Sequence, residues 1–311
     1  MRIIRGVDAA RPEDRGATAA MGNFDGVHRG HRAVLELAAA AAPDAPLGVV
    51  TFDPHPRRFF QPDAEPFALM SFEAKARRLE RLGVERLFAL PFDAGLAALT
   101  PAAFCEAVLA EGLGLRHVTV GADFCFGKGR AGDGATLRAE GARLGFGATL
   151  APLVADGGEP VSSTAIRSAL REGRPEEAAR MLGHWHRIEG VVEHGEKRGR
   201  TLGYPTANLS LGDLAPPKFG VYAVKVDVLD GPHAGQRRGV ASLGVRPMFG
   251  ENRPNLETFL FDFSGDLYGA RISVALVAFQ RPELKFESVE ALVRQMDEDS
   301  AQARRLLAAA A

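Results

Sequence analysis

The chain has 311 residues, 46% of them hydrophobic and 25% charged, the balance of a globular protein with about two domains. Lys and Arg number 38 against 39 Asp and Glu, a formal net charge of -1, which excludes the basic footprint of a protein that grips nucleic acid by charge. Two cysteines, Cys105 and Cys125, exclude a disulfide scaffold and a cysteine metal cluster, and no apolar run nears the ~20 residues of a membrane span. The N-terminal MRIIRGVDAARPEDRG is charged throughout, unlike a secretory signal. A cytoplasmic protein with no membrane or nucleic-acid partner is therefore expected, its oligomeric state left open.

Along residues 16–180, short β-rich runs (16–21, 47–52, 86–90, 117–121, 147–153) alternate with helical stretches. His31 to Ala42 is alanine-rich and stops at Pro43; Ser71 to Leu82 puts Phe72, Ala76, Leu79 and Leu82 on one face; Thr100-Pro101 opens a third helix with Thr as N-cap. Strands alternating with helices predict a parallel, Rossmann-like sheet, in which ligands bind outside the carboxyl ends of the strands. After His184-Trp185 the pattern changes to strand-like runs at 188–193, 221–229, 237–245, 256–263 and 271–279, joined by Gly- and Pro-rich linkers without room for helices. That predicts an antiparallel sheet or barrel. Val289, Val293, Met296, Ala303 and Leu307 then recur at the spacing of one terminal helix. The expected division is 1–183 and 184–311.

Four strings follow strands of the first half. Met21-Gly-Asn-Phe-Asp-Gly-Val-His-Arg-Gly-His31 bends on glycines and enters a helix, setting His28 and His31 three residues apart beside an anion-favouring N-terminus. Val50-Thr-Phe-Asp-Pro-His-Pro56 leads to Phe59 and Phe60, aromatics able to stack on a planar ligand. Gly121-Ala-Asp-Phe-Cys-Phe-Gly-Lys-Gly-Arg-Ala-Gly132 offers a basic glycine loop with Asp123 and Phe126. Val161-Ser-Ser-Thr-Ala-Ile-Arg167 offers hydroxyls and a guanidinium at a helix start. Each alone also fits a bland structure: a glycine turn, a proline turn, a solvated basic loop, a plain N-cap. Together they resemble the HxGH nucleotidyltransferase superfamily, and MGNFDGVHRGH, TFDPHP, GADFCFGKGRAG and SSTAIR are similar to the FMN adenylyltransferase module of bacterial FAD synthetases. The resemblance implies that His28 and His31 are catalytic and that Gly22, Asn23, Asp25, Asp123, Ser163, Thr164 and Arg167 shape the nucleotide and phosphate sites. Phe59, Phe60 and Phe126 are the candidates to stack on the flavin.

In the second half, residues 190–208 run from a glycine-rich basic segment (Gly195, Gly199, Arg200) into Pro-Thr-Ala-Asn, with Thr206 and Asn208 presenting oxygens to one face of an extended chain. Read alone, the segment also fits a long basic hairpin loop. In Leu256–Phe263, Glu257, Phe259, Phe261 and Phe263 are expected on one strand face; an acid there would have its pKa raised by burial and be suited to take a hydroxyl proton, though read alone a surface acid at a strand start fits better. The PTAN string is similar to that of riboflavin kinases. That resemblance implies Mg²⁺–ATP held at Thr206 and Asn208, Gly195, Gly199 and Arg200 closing over it, and Glu257 as base on riboflavin. The string after Arg246-Pro247 departs from the family, with Met248 where Thr is usual. The chain as a whole resembles the bacterial bifunctional riboflavin kinase/FMN adenylyltransferases, which implies riboflavin, FMN, FAD and ATP as its substrates and products.

Overall fold

The computed structural model describes residues 1–194, 202–248 and 251–310, without the side chains of 246–248 and 251–253. The chain separates into two compact units, residues 1–64 with 72–162 and residues 65–71 with 163–311.

The first unit is built on six parallel strands: β1 (Arg2–Arg5), β2 (Thr18–Met21), β3 (Leu47–Phe52), β4 (Arg86–Leu90), β5 (His117–Gly121) and β6 (Gly147–Ala151). Their order is β1-β4-β3-β2-β5-β6. The strands after β2 are laid first to one side and then to the other. The order therefore reverses beside β2, and its carboxyl end is where a ligand site is expected. Every residue of β2 is buried, as a strand covered on both faces requires. Helix α1 (Arg29–Ala41) covers one face, and the Thr18 hydroxyl donates to Ala38 O at 2.7 Å. On the other face Ala19, Met21, Val50 and Val118 pack with Phe104, Val108 and Leu109. These last three belong to a π-helix (Phe104–Gly112) that continues a short α-turn (Pro101–Ala103), started as the sequence predicts by the Thr100 hydroxyl accepting from Ala103 N. The remaining helices of this unit are α2 (Pro56–Phe60), α3 (Phe72–Arg81), α4 (Ala94–Ala98) and α6 (Gly134–Leu144), taking Pro101–Ala103 as α5. A two-stranded ribbon of β7 (Ala155–Asp156) and β8 (Glu159–Pro160) follows β6. Edge strand β1 departs from the sequence reading: its RIIR reads as a charged tail, yet Ile4 is buried and the strand runs parallel to β4.

The second unit opens with helices α7 (Ser163–Arg171) and α8 (Pro175–Leu182). Six antiparallel strands follow: β9 (Arg187–Val191), β10 (Thr206–Ser210), β11 (Gly220–Val228), β12 (Gly235–Met248), β13 (Glu251–Leu260) and β14 (Arg271–Arg281), in the order β10-β13-β12-β11-β14-β9. Glu193 N donates to Asn208 O at 3.0 Å, linking the chain beyond β9 to β10, so the sheet nearly closes on itself. Tyr222, Val224, Val226 and Val228 of β11 line its interior with Leu209, Leu243, Leu256, Ile272, Val274 and Leu276, as period-two alternation predicts. Helix α9 (Val289–Ala309), capped by Ser288, lays Ala303 and Leu307 on the outer face against Ala223, Phe261 and Val277. One expectation is corrected. Strand β13 stops at Leu260, and Asp262 turns the chain at φ 53°. Phe261 thus packs beside Phe259 from the turn, while Phe263 packs on the interior cluster.

His186, 2% exposed, enters the barrel with its ring buried. Burial, with the charge of His184 adding to it, pushes its pKa down to about 3. Between about pH 6.5 and 3 the unfolded chain binds a proton that the folded chain refuses, so acidification destabilises this unit by up to about 1.4 kcal/mol per pH unit. His186→Leu should flatten that slope. Urea unfolding between pH 6 and 4, followed by the single Trp, Trp185, measures it; an unchanged slope contradicts the assignment.

Candidate active sites

The chain leaves β2 through a sharply bent loop. Phe24 (φ 51°) and Val27 (φ 44°) hold positive φ, which is costly for a β-branched residue, and both are fully buried. The bend aims His28 at the start of α1, where it is the N-cap. Its Nδ1 accepts from His31 N and the Nδ1 of His31 accepts from His28 N, both at 3.3 Å. The rings stack with centroids 3.6 Å apart. A ring nitrogen that accepts a backbone N–H carries no proton, so the neutral imidazoles bear theirs on Nε2. Burial holds His31 well below the usual imidazole range; the Lys75 ammonium adds to this, as would any proton taken up by His28. The site is thus a pair of Nε2–H donors at a helix N-terminus, an arrangement made for anionic oxygens. A Cβ at Gly30 would lie 3.1 Å from two atoms of the His28 ring, tighter than an ordinary contact.

Neighbouring loops add to this carboxyl edge. Asn23 O accepts from Thr51 Oγ1 at 3.1 Å and from Lys75 Nζ at 2.8 Å, and Asp25 is buried in the same loop. After β3, His55 caps α2, and Phe59 and Phe60, 37% and 65% exposed, meet Phe92 edge-on. After β5, Asp123, Lys128 and Arg130 are exposed. Phe126 is different: it is 6% exposed and packed with Phe104 and Phe124, so its ring is committed to the core, while Phe59 and Phe60 present open aromatic faces. Cys105 is core, its thiol pushed up to about 12 by burial. Ser163, Thr164 and Arg167 lie in the first turns of α7, in the second unit, where the Arg167 guanidinium donates to Phe67 O at 2.6 Å.

In the second unit the constellation is set by strand register. Thr206 pairs with Phe259, and Asn208 with Glu257, whose other neighbour is Ser242. Directly opposed residues share a sheet face with Cβ atoms ~5 Å apart, so Thr206, Asn208, Glu257 and Ser242 form one polar outer face while Ala207, Leu209, Leu256 and Leu243 fill the interior. Asn255, two residues before Glu257, donates to Asn208 Oδ1 at 3.1 Å and fixes its amide. Tyr204, against the Phe259 ring, donates to Asp297 of α9 and closes this face. Gly195, Gly199 and Arg200 lie outside the described residues, as does the Met248 side chain. Among the described residues no group of three His, Cys, Asp or Glu is arranged to hold a metal. A separate cleft of about 550 Å³ lies over β11 and β12, but most of its cations are already engaged: Arg187 pairs with Asp227, Arg304 with Asp262, and Lys225 donates to Ala310 O.

Lys75 and Asn255 are missing from the residues singled out in the sequence. Period two places Asn255 beside Glu257. Lys75 stands three residues after Phe72 and four before Leu79, inside the apolar stripe of α3.

The chain thus carries a parallel-sheet unit with paired imidazoles at its switch point, followed in sequence by an antiparallel near-barrel. The FAD synthetase family model matches residues 10–165 and the riboflavin kinase model residues 182–307. The bifunctional riboflavin kinase/FMN adenylyltransferase of Pseudomonas fluorescens is 42% identical over 100% of this chain and 99% of its own. Those of Escherichia coli K12 (38%; 98% and 97%) and Bacillus subtilis (36%; 95% and 94%) are similar over nearly their full lengths. A crystal structure described as a macrolide-efflux protein from Streptococcus pneumoniae superposes with a TM-score of 0.85 at 31% identity, covering 98% of this chain and 99% of that one. The chain belongs to the bifunctional riboflavin kinase/FMN adenylyltransferase family. Its C-terminal part converts riboflavin and ATP to FMN, and its N-terminal part converts FMN and ATP to FAD and pyrophosphate. No helix among the described residues is long and apolar enough to cross a membrane.

Gly30→Ala should push the His28 ring from its seat. FAD formation is expected to fall ~10-fold or more while FMN formation is unchanged; both rates are read by chromatography of the flavins, and undiminished FAD formation would contradict the role given to that seat.

Proposed function

We propose that each reaction is carried by one of the two constellations, with the functional boundary at 183/184. What supports this division is their separation: the reciprocally capped imidazoles are on the first unit, and the Asn208–Glu257 pairing is on the second. The matching of both halves to flavin-enzyme families, under one name shared by full-length relatives, favours it over the efflux name of the superposed structure.

In adenylyl transfer a phosphate oxygen of FMN forms a bond to the α-phosphorus of ATP while the bond to the leaving pyrophosphate breaks. The nucleophile is already anionic, so no strong base is required. The Nε2–H groups of His28 and His31 donate to the oxygens on which charge builds up, and a neutral His31 does so without further proton uptake. Gly22 lets the backbone approach the nucleotide, and Asn23, Asp25 and Asp123 orient it; for Ser163, Thr164 and Arg167 the role at phosphate oxygens rests on the likeness of the SSTAIR string alone. Phe59 and Phe60 stack on the isoalloxazine ring.

In the kinase reaction Glu257 takes the proton of the ribityl 5′-hydroxyl as its oxygen attacks the γ-phosphorus and ADP leaves. Thr206 Oγ1 and Asn208 Oδ1 are hard oxygens on one face, and the amide oxygen is already oriented by Asn255. With so few protein donors and phosphate oxygens to complete the shell, the set suits Mg²⁺. When bound, the ion neutralises charge on the transferring phosphoryl group. The proposed setting is the cytoplasm, with no nucleic acid or membrane partner.

His28→Ala is expected to lower FAD formation by ~10²-fold or more and to spare FMN formation. Glu257→Ala is expected to lower FMN formation by ~10²–10⁴-fold while added FMN is still converted to FAD. Separate assays of the two steps on each variant decide the assignment, and a folded variant losing both activities equally would defeat it.

A further inference from the structure

Helix α3 buries a lysine. Lys75 stands with Ala74, Ala76 and Leu79 on the inward stripe and is 7% exposed. A buried ammonium is costly unless compensated. Burial lowers its pKa, and the carboxylates of Asp25 and Asp53 oppose that; Asp53 is in turn held by Arg5 at 2.9 Å. A methionine would fill the same stripe without desolvation, so the reason for an ammonium here lies in what it touches.

It touches the loop between β2 and α1. Lys75 Nζ donates to Asn23 O at 2.8 Å, and the same oxygen accepts from Thr51 Oγ1 at 3.1 Å. From Asn23 to His28 the chain passes through Phe24, Gly26 and Val27, all at positive φ. Such a segment keeps its shape only when its surroundings over-determine it. Two donors fix its first carbonyl, the buried side chains of Phe24 and Val27 fix its middle, and the His28–His31 capping pair fixes its end.

We propose that Lys75 is a positioning residue for adenylyl transfer: from α3 it pins the Asn23 carbonyl and thereby sets the strained loop that presents His28 and His31. This rests on the reading of the two histidines given above. The titratable groups acting on His31 are His28 from its own turn and the Lys75 ammonium from α3, and those acting on Lys75 are Asp25 and Asp53. Loss of the Lys75 charge therefore also removes one of the influences that hold His31 neutral.

The test is a double-mutant cycle in the full-length enzyme. Lys75→Met is expected to lower kcat for FAD formation ~10- to 100-fold, with KM for ATP and FMN within about threefold and FMN formation unchanged. Thr51→Val should act in the same direction but less, and the double variant should be no more than about twofold slower than Lys75→Met, because both donors act through one carbonyl oxygen. A folded Lys75→Met enzyme with kcat within about twofold of wild type overturns the proposal, as do effects that multiply. Should Lys75→Met fail to fold, Thr51→Val alone decides: a lowered kcat at constant KM supports the proposal and an unchanged kcat overturns it. His28→Ala is run alongside. FAD formation surviving in it would instead sink the reading of the site itself.

Discussion

The adenylyl-transfer half depends on one reciprocal interaction, in which two imidazoles cap a helix through each other's backbone. Because each Nδ1 of His28 and His31 accepts an N–H, both rings are fixed in orientation and in tautomer. Both protons are thereby assigned to Nε2, where they can serve a ligand. The surroundings are arranged around that constraint: Gly30 leaves room for one ring, the strained turn at Phe24 and Val27 brings the chain in at the required angle, and burial keeps His31 neutral. Neutral donors at a helix N-terminus stabilise developing negative charge without first competing for a proton.

The second half solves a related problem with different means. Its site stands on the strands of a near-closed antiparallel sheet, so position comes from register. The alternation that buries Ala207, Leu209 and Leu256 turns Thr206, Asn208 and Glu257 outward together. A slip of one residue would send Thr206 and Asn208 into the core and leucines to the surface. Asn255 sharpens the arrangement by orienting Asn208, and α9 covers the adjacent aromatic ground at Phe259 and Phe261. On the proposed assignment the two halves reach the same end, a preorganised grip on a nucleoside triphosphate, through a cap in one and a strand register in the other.

Much of this is legible in the sequence because it depends on local rules. The runs at 47–52, 86–90 and 117–121 are β3, β4 and β5 residue for residue, and Thr100 caps its helix as expected. The imidazole pair is legible from a strand, glycine turn and helix in succession. What is not legible depends on tertiary surroundings. RIIR looks like a charged tail until β4 pairs with it, and Phe126 looks available for stacking until Phe104 and Phe124 enclose it. The aromatic alternation beyond Leu260 is broken by a turn at Asp262, a residue that accepts positive φ more readily than most. Lys75 stands in plain view on an apolar stripe, but its partner, the Asn23 carbonyl, is a backbone atom that no side-chain pattern announces.

The central claim is that the chain directs attack on two different phosphorus atoms of ATP at two separate centres. Incubation of the enzyme with riboflavin and ATP labelled either at the α- or at the γ-phosphate, followed by separation of the flavins, reads this directly. Label from the γ-position should appear in FMN and in FAD, and label from the α-position in FAD alone. FAD that carried no α-label, or FMN that carried it, would contradict the account.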